Sequence, residues 1–229
     1  VCSGGDGTMN EVANGMMRLH EKPICGYIPA GTVNDFASSL RIPKVMRHAA
    51  ELVIQGKVFR CDLGSFNDKF STYVAGFGAF TEVSYTTPQE WKNMLGKTAY
   101  FIEGLKHLAE IKPHHMRITY DDGVVEDDFV LGLVSNSISV AGYKAYQKED
   151  IKMDDGLFEV LFIRNLNNAL ELQEVLNALL TKHLDATKMF RCSSRHLHIV
   201  CDDEVQWTLD GEDGGSWDEV DLFNHQQVL

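Results

Sequence analysis

Near its start the chain carries Ser3-Gly4-Gly5-Asp6-Gly7-Thr8, and near its far end Trp207-Thr208-Leu209-Asp210-Gly211-Glu212. Backbone N–H groups can surround a phosphate only where side chains do not block the approach, and glycine removes them. A helix that begins directly after such a loop adds its dipole and its free N–H groups. An aspartate inside a phosphate loop repels the phosphate unless a metal or a hydroxyl proton stands between them. Asp6 therefore points to Mg²⁺-nucleotide chemistry rather than to plain anion binding. A second polar glycine loop, Gly31-Thr32-Val33-Asn34-Asp35-Phe36, follows the next strand at the equivalent position. In a parallel sheet both loops leave the carboxyl edge, where ligands bind. Asp210 and Glu212 lie two residues apart at the end of an alternating run, a spacing that points both side chains the same way. Carboxylates so paired can serve as a general base and its orienting partner. The competing reading of each motif is an ordinary turn, and two glycine loops on one sheet edge weigh against it.

Strands and helices must deliver these loops. Residues 1–62 read as strand, loop, helix, strand, loop, helix, the pattern of a parallel α/β sheet. Val12, Ala13, Met16 and Leu19 recur at helical spacing and predict a helix over 8–20, and 45–54 predicts another that closes at Gly56. Beyond about Leu63, runs such as Y-V-A-G-F-G, F-V-L-G-L-V-S-N, F-E-V-L-F-I and V-Q-W-T-L are strand-like. Turns are expected at Asp121-Asp122-Gly123 and at Asp202-Asp203-Glu204, the signature of an antiparallel sandwich or barrel. Helices are expected over 98–111 and 168–182. The fold class that follows is α/β plus mostly-β in two domains. Residues 1–62 form a nucleotide-binding α/β piece, 63–215 a β-rich domain, and 216–229 a segment returning to the first domain.

With 229 residues and 44% hydrophobic content, the chain can bury a substantial core. No apolar run reaches the ~18 residues of a membrane span, and no signal peptide is evident. The net charge of −12 argues against sequence-independent nucleic-acid binding and against tight adsorption to an anionic bilayer. Five scattered cysteines without a C-x-x-C pair read as buried, reduced thiols of a cytosolic protein. His196 and His198 share a strand face but lack partners at ligand spacing, so a solvated face is expected.

Together G-G-D-G-T-M-N-E at 4–11, G-T-V-N-D-F-A at 31–37 and L-D-G-E at 209–212 resemble the diacylglycerol kinase catalytic-domain family, with sphingosine kinases as more distant relatives. Arg60-Cys61-Asp62-Leu63-Gly64, the A-G-F-G turn at 75–78, Gly96 with Ala99-Tyr100, and Asp155-Gly156-Leu157 support the likeness. The resemblance implies a partial Rossmann-like or phosphofructokinase-like domain, a β-sandwich domain, and ATP-dependent phosphorylation of diacylglycerol to phosphatidic acid. It places ATP on Gly4, Gly5, Asp6, Gly7, Thr8, Met9, Asn10 and Thr32. It makes Glu212 the proton acceptor with Asp210 beside it and Asp6 tied to Mg²⁺-ATP, and it puts a structural Mg²⁺ at Asp155 with main-chain oxygens near Lys152 and Leu157. Asp35 would join the network carrying Asp6. An apolar cleft for the acyl chains is expected in the β-rich domain, with Phe77, Phe80, Tyr100 and Phe101 as candidate lining, although core is the favoured reading of each. The family carries further βα units ahead of the glycine loop, on the order of 60 residues. Without them, and without an initiator methionine, the chain reads as a fragment. A peripheral cytoplasmic enzyme with transient membrane contact, and a homodimer through exposed sheet edges, are the expected context. A sphingoid-base kinase of the same fold and a non-catalytic nucleotide- or lipid-binding module are the alternatives.

Overall fold

The computed structural model describes residues 1–56, 58–78, 111–137, 152–181, 183 and 186–229. A two-stranded parallel sheet joins β1 (Cys2–Gly4) to β2 (Tyr27–Pro29), pairing Cys2 with Tyr27 and Gly4 with Pro29. Helix α1 (Asp6–Met17) follows β1, and α2 (Asp35–Ser39) and α3 (Met46–Gln55) follow β2. In α1 the buried residues are Asp6, Met9, Ala13 and Met16, one face at helical spacing. The helix starts earlier than the periodicity predicts because Gly5, extended at the N-cap, admits Asp6 to the first turn. It closes at Arg18, which leaves Leu19 exposed outside it.

Among the described residues, nine antiparallel strands form the second sheet: β3 (Leu63–Phe66), β4 (Lys69–Ser71), β5 (Val74–Gly78), β6 (His114–Tyr120), β7 (Gly123–Ser135), β8 (Phe158–Arg164), β9 (Met189–Ser194), β10 (His196–Leu209) and β11 (Glu212–His225). Strand β10 pairs with β11, β6 and β5, while β7 pairs with β6, β5 and β8. The circuit β5-β7-β6-β10 is thereby closed, and the two long strands run through both layers of a sandwich. Inward residues meet in an aromatic core. Phe77 and Trp207 stand edge-to-face at 5.0 Å, and Phe162 contacts both Phe77 and Phe129 at 5.4 Å. Such pairs contribute about 0.5–1.5 kcal/mol each beyond their burial. Helix α4 (Ala169–Thr181) buries Val175, Ala178 and Leu179.

Several expectations change. Asp202-Asp203-Glu204 is not a hairpin tip. Strand β10 continues through it, and the register jumps from Val200↔Glu219 to Val205↔Trp217, a bulge that sheds the extra residues without ending the strand. Residues 216–225 do not return to the α/β piece. They belong to β11, with Val220 and Leu222 buried in the sandwich core. Only the last residues reach back: Leu229 N donates to Cys61 O (3.0 Å) and Cys61 N to Leu229 O (2.8 Å). Phe77 is fully buried in the core, in line with the favoured reading of that residue. Phe80, Tyr100, Phe101 and the helix expected over 98–111, apart from Ile111, lie outside the described residues. All five cysteines are free. Burial pushes the thiols of Cys61 and Cys192 up to about 12 and that of Cys201 up to about 11, so they remain protonated. His196 and His198 lie along Asp221 and Glu219 on the outer face, with His196 Nε2 3.0 Å from Asp221 Oδ2.

Candidate active site

Parallel pairing of β1 and β2 brings both glycine loops to one edge, where they touch. Ala30 N donates to Gly4 O (2.8 Å), and a Cβ built on Gly31 would stand 2.5 Å from Gly5 Cα. Real side chains do not approach backbone so closely, so glycine is required at this crossing. Asn34, in the left-handed region at φ 55°, closes the second loop by donating to Gly31 O (2.6 Å) and accepting from Gly31 N (2.9 Å). Asp6 joins the two loops: its Oδ2 accepts from Asp35 N (3.0 Å) and its Oδ1 from Phe36 N (3.1 Å). Asp35 thus enters the Asp6 network through its backbone, with its side chain buried. Thr8 and Thr32 are exposed beside this junction. Met9 faces the other way. Its side chain is buried in the core and its N–H is bonded to Gly5 O (3.1 Å), so neither faces the loops.

Asp210 and Gly211 form the tip of the β10–β11 hairpin, both with positive φ (54° and 87°), and Leu209 pairs with Glu212. That is the two-residue turn for which Asp-Gly is suited. The two carboxylates therefore do not follow strand alternation: Asp210 turns inward and is buried, while Glu212 is exposed. Oδ1 of Asp210 accepts from Tyr73 N and Val74 N, each at 3.0 Å. Oδ2 accepts from Thr72 N (2.6 Å), Thr72 Oγ1 (2.8 Å) and Asn10 Nδ2 (2.6 Å). Burial raises the carboxyl pKa, and these donors oppose the rise. Asn10 also donates to Phe70 O (3.0 Å). One turn along α1, Asn14 donates to Phe70 O (3.0 Å) and accepts from Phe70 N (3.1 Å). The helix behind the first glycine loop is thus fastened to β4 and to the hairpin tip by two asparagines.

The hairpin places Glu212 against that loop: Glu212 Oε1 lies 3.2 Å from where a Cβ on Gly7 would stand. Sequence reasoning pairs Glu212 with Asp210, yet the tighter relationship is between Glu212 and the N-terminal turn of α1. Two further participants have no motif signature. Asn14 is visible only as the i+4 partner of Asn10, and Tyr73 only once Asp210 has found its donors.

The 152–157 turn lies elsewhere, against Asp62. Asp62 Oδ2 accepts from Gly156 N (2.6 Å) and Oδ1 from Gln227 N (2.7 Å). Burial pushes the Asp62 carboxyl up, and the charges of Asp155 and Asp154 add to that. Asp155 Oδ1 accepts from Leu157 N (3.1 Å), which leaves Oδ2 without a bond among the described residues. Among those residues no group of three or more His, Cys, Asp or Glu is arranged to hold a metal ion. What the turn offers a cation is one carboxylate oxygen and main-chain carbonyls, a hard-donor set.

Residues 1–66 match the family model described as the diacylglycerol kinase catalytic domain. Residues 74–220 match the YegS C-terminal NAD kinase beta sandwich-like domain. A protein named diacylglycerol kinase from Bacillus subtilis is 33% identical over 232 residues, spanning 100% of this chain and 76% of that one. One of the same name from Staphylococcus saprophyticus is 35% identical over 216 residues, spanning 94% and 70%. The crystal structure of a putative diacylglycerol kinase from Bacillus anthracis superposes with a TM-score of 0.82 at 27% identity, covering 98% of this chain and 74% of the other.

Proposed function

The chain belongs to the diacylglycerol kinase catalytic-domain family, a family of lipid kinases, and on that premise we propose that it transfers the γ-phosphoryl group of ATP to the free hydroxyl of diacylglycerol. In that step the acceptor oxygen forms a bond to γ-phosphorus, the bridging P–O bond breaks, ADP leaves and phosphatidic acid is produced. Glu212 takes the hydroxyl proton.

One observation carries the reading: the Glu212 carboxylate stands over Gly7 at the mouth of the glycine loop. A base delivered by the sandwich to a phosphate cradle delivered by the α/β piece is what transfer between a bound nucleotide and a second substrate requires. Positioning supplies most of the catalysis in phosphoryl transfer. The glycine crossing supports ATP binding by letting the two loops touch, because a Cβ at Gly5 or Gly31 would meet the other loop's backbone and push the loops apart. Gly4, Gly5, Gly7, Thr8 and Thr32 line that approach. Asp6 holds the two loops at one spacing, and Asn10 and Asp210 hold α1 against the hairpin. Mg²⁺ bound with the nucleotide supplies positive charge that offsets the phosphate oxygens. We assign Asp155, with carbonyl oxygens of Lys152 and Leu157, to a second, structural Mg²⁺, supported by the free Asp155 oxygen and the acidic crowding on Asp62.

A membrane-borne acceptor calls for transient contact with a bilayer, and among the described residues no helix is long and apolar enough to cross one. We accordingly place the protein in the cytoplasm, peripheral to the membrane. The test is an acceptor panel with the full chain: labelled γ-phosphate from Mg²⁺-ATP offered to diacylglycerol, a sphingoid base and a monoacylglycerol in mixed micelles. Diacylglycerol is expected to take the label. Preference for the sphingoid base would replace the acceptor, and ATP binding with no transfer to any of them would favour the non-catalytic module.

A further inference from the structure

Tyr73 connects β4 to β5 and its backbone is held at both ends. Its N–H donates to Asp210 Oδ1 (3.0 Å), and its carbonyl accepts from Asn136 N (2.9 Å). The ring belongs to the same buried cluster as Met9 and Phe36, and the residue is only 6% exposed. The hydroxyl sits 4.0 Å from where a Cβ on Gly211 would stand, beside the turn that delivers Glu212. No described residue is hydrogen-bonded to it, whereas the backbone of the same residue is fully bonded.

Among the described residues, the charges that act on that hydroxyl have one sign. Burial holds its pKa well above the usual phenol range, and the carboxylates of Asp210, Asp6, Asp35 and Glu212 each push it further. It therefore keeps its proton throughout the working pH range and is available as a donor. Asp6 and Asp210 draw their own hydrogen bonds from backbone N–H groups and from Asn10 and Thr72, neutral donors already engaged. An arriving phosphate meets carboxylates that cannot donate to it, and the Tyr73 phenol can donate beside the loop N–H groups and the Thr8 and Thr32 hydroxyls.

Resting on the kinase reading above, we propose that Tyr73 is a further catalytic residue, whose hydroxyl donates a hydrogen bond to an oxygen of the phosphoryl group during its transfer. A fixed neutral donor aimed at developing charge stabilises the transition state without adding to ground-state repulsion. No proton is transferred: the O–H bond of Tyr73 stays intact, and the acceptor's proton goes to Glu212.

Tyr73→Phe in the full chain removes the one oxygen and keeps the ring. With Mg²⁺-ATP and diacylglycerol, kcat is expected to fall by about tenfold to the ~10²-fold of a lost oxyanion donor. KM for ATP should stay within about twofold, with the melting temperature and the midpoint of the acid limb of the rate profile unchanged. Wild-type kcat in the variant overturns the proposal. So does an acid limb moved to higher pH, because that would mean the hydroxyl was bonded to Glu212 and acted through it. A variant that melts early and loses nucleotide affinity together with kcat makes Tyr73 a structural support and likewise overturns it. A parent chain that transfers phosphate to no acceptor fails the kinase reading itself, while an active parent with an unaffected variant fails this inference alone.

Discussion

Asn10, in the helix behind the first glycine loop, donates its amide to Oδ2 of Asp210 at 2.6 Å across 200 residues of sequence. That bond ties the helix behind the first glycine loop to the hairpin that carries Glu212. Asp210 is therefore the joint between the two halves of the site, and its five hydrogen bonds all come from groups that position rather than react.

Asp210→Ala should be among the most destabilising single changes in the protein. It leaves the N–H groups of Thr72, Tyr73 and Val74 without their acceptor, at about 1–3 kcal/mol for each group that water cannot reach. It also places alanine at φ 54°, a conformation asparagine tolerates and alanine does not. Asp210→Asn should cost less, on the order of 2 kcal/mol, since it keeps the turn and one acceptor. Urea denaturation of both variants checks the order, and equal losses would mean that the left-handed turn contributes little and that the bonds to Oδ2, lost in both, carry the cost.

Gly31→Ala should separate the glycine loops. The new Cβ would meet Gly5 Cα at 2.5 Å and Asn34 Oδ1 at 2.8 Å, and backbone cannot yield without moving a loop. A stability loss of about 1–3 kcal/mol is expected, with ATP affinity, measured by calorimetry, reduced at least about tenfold. Gly15→Ala, where nothing lies within 4 Å of the added carbon in the last turn of α1, should instead stabilise by up to about 1 kcal/mol.

How much of this was legible in the sequence depended on the range of the interaction. The glycine loop, a helix behind it and the turn at Asp121-Asp122-Gly123 are decided within four or five residues, and they are readable. Asp202-Asp203-Glu204 misleads because three acidic residues look like a turn, while β10 is held through them by Cys201 pairing with Met116 on one side and Val205 with Trp217 on the other. Asp210 and Glu212 were read as a pair from strand spacing, but left-handed backbone at the tip sends them to different places. Tyr73 carries no local signal, and Asn14 none beyond its i+4 spacing from Asn10, since the partners that matter are Asp210 and Phe70, more than fifty residues away.

Two histidines should titrate in opposite directions. Hydrogen bonding to Asp128 holds His115 above the ordinary imidazole range, and burial, helped by the charge of Arg195, holds His225 below it. Where His115 is protonated folded but neutral unfolded, the folded state binds more protons and stability falls as pH rises. For His225 the unfolded state binds more, so stability falls as pH drops through the unfolded imidazole value toward the lowered folded one. Imidazole resonances followed by NMR should give His115 the higher midpoint, with Asp128→Asn bringing it down and leaving His225 in place. A His225 midpoint at or above that of His115 would contradict the packing described for both.

The measurement that tests the central claim most directly compares the full chain with Glu212→Gln for transfer of labelled phosphate from Mg²⁺-ATP to diacylglycerol. Glu212 is exposed, so the variant should fold and bind ATP as the parent does. The account predicts a loss of about 10²–10⁴ in kcat, the cost of removing a general base. A variant that transfers phosphate at the parent's rate would contradict it, and the carboxylate over Gly7 would then have no part in the chemistry.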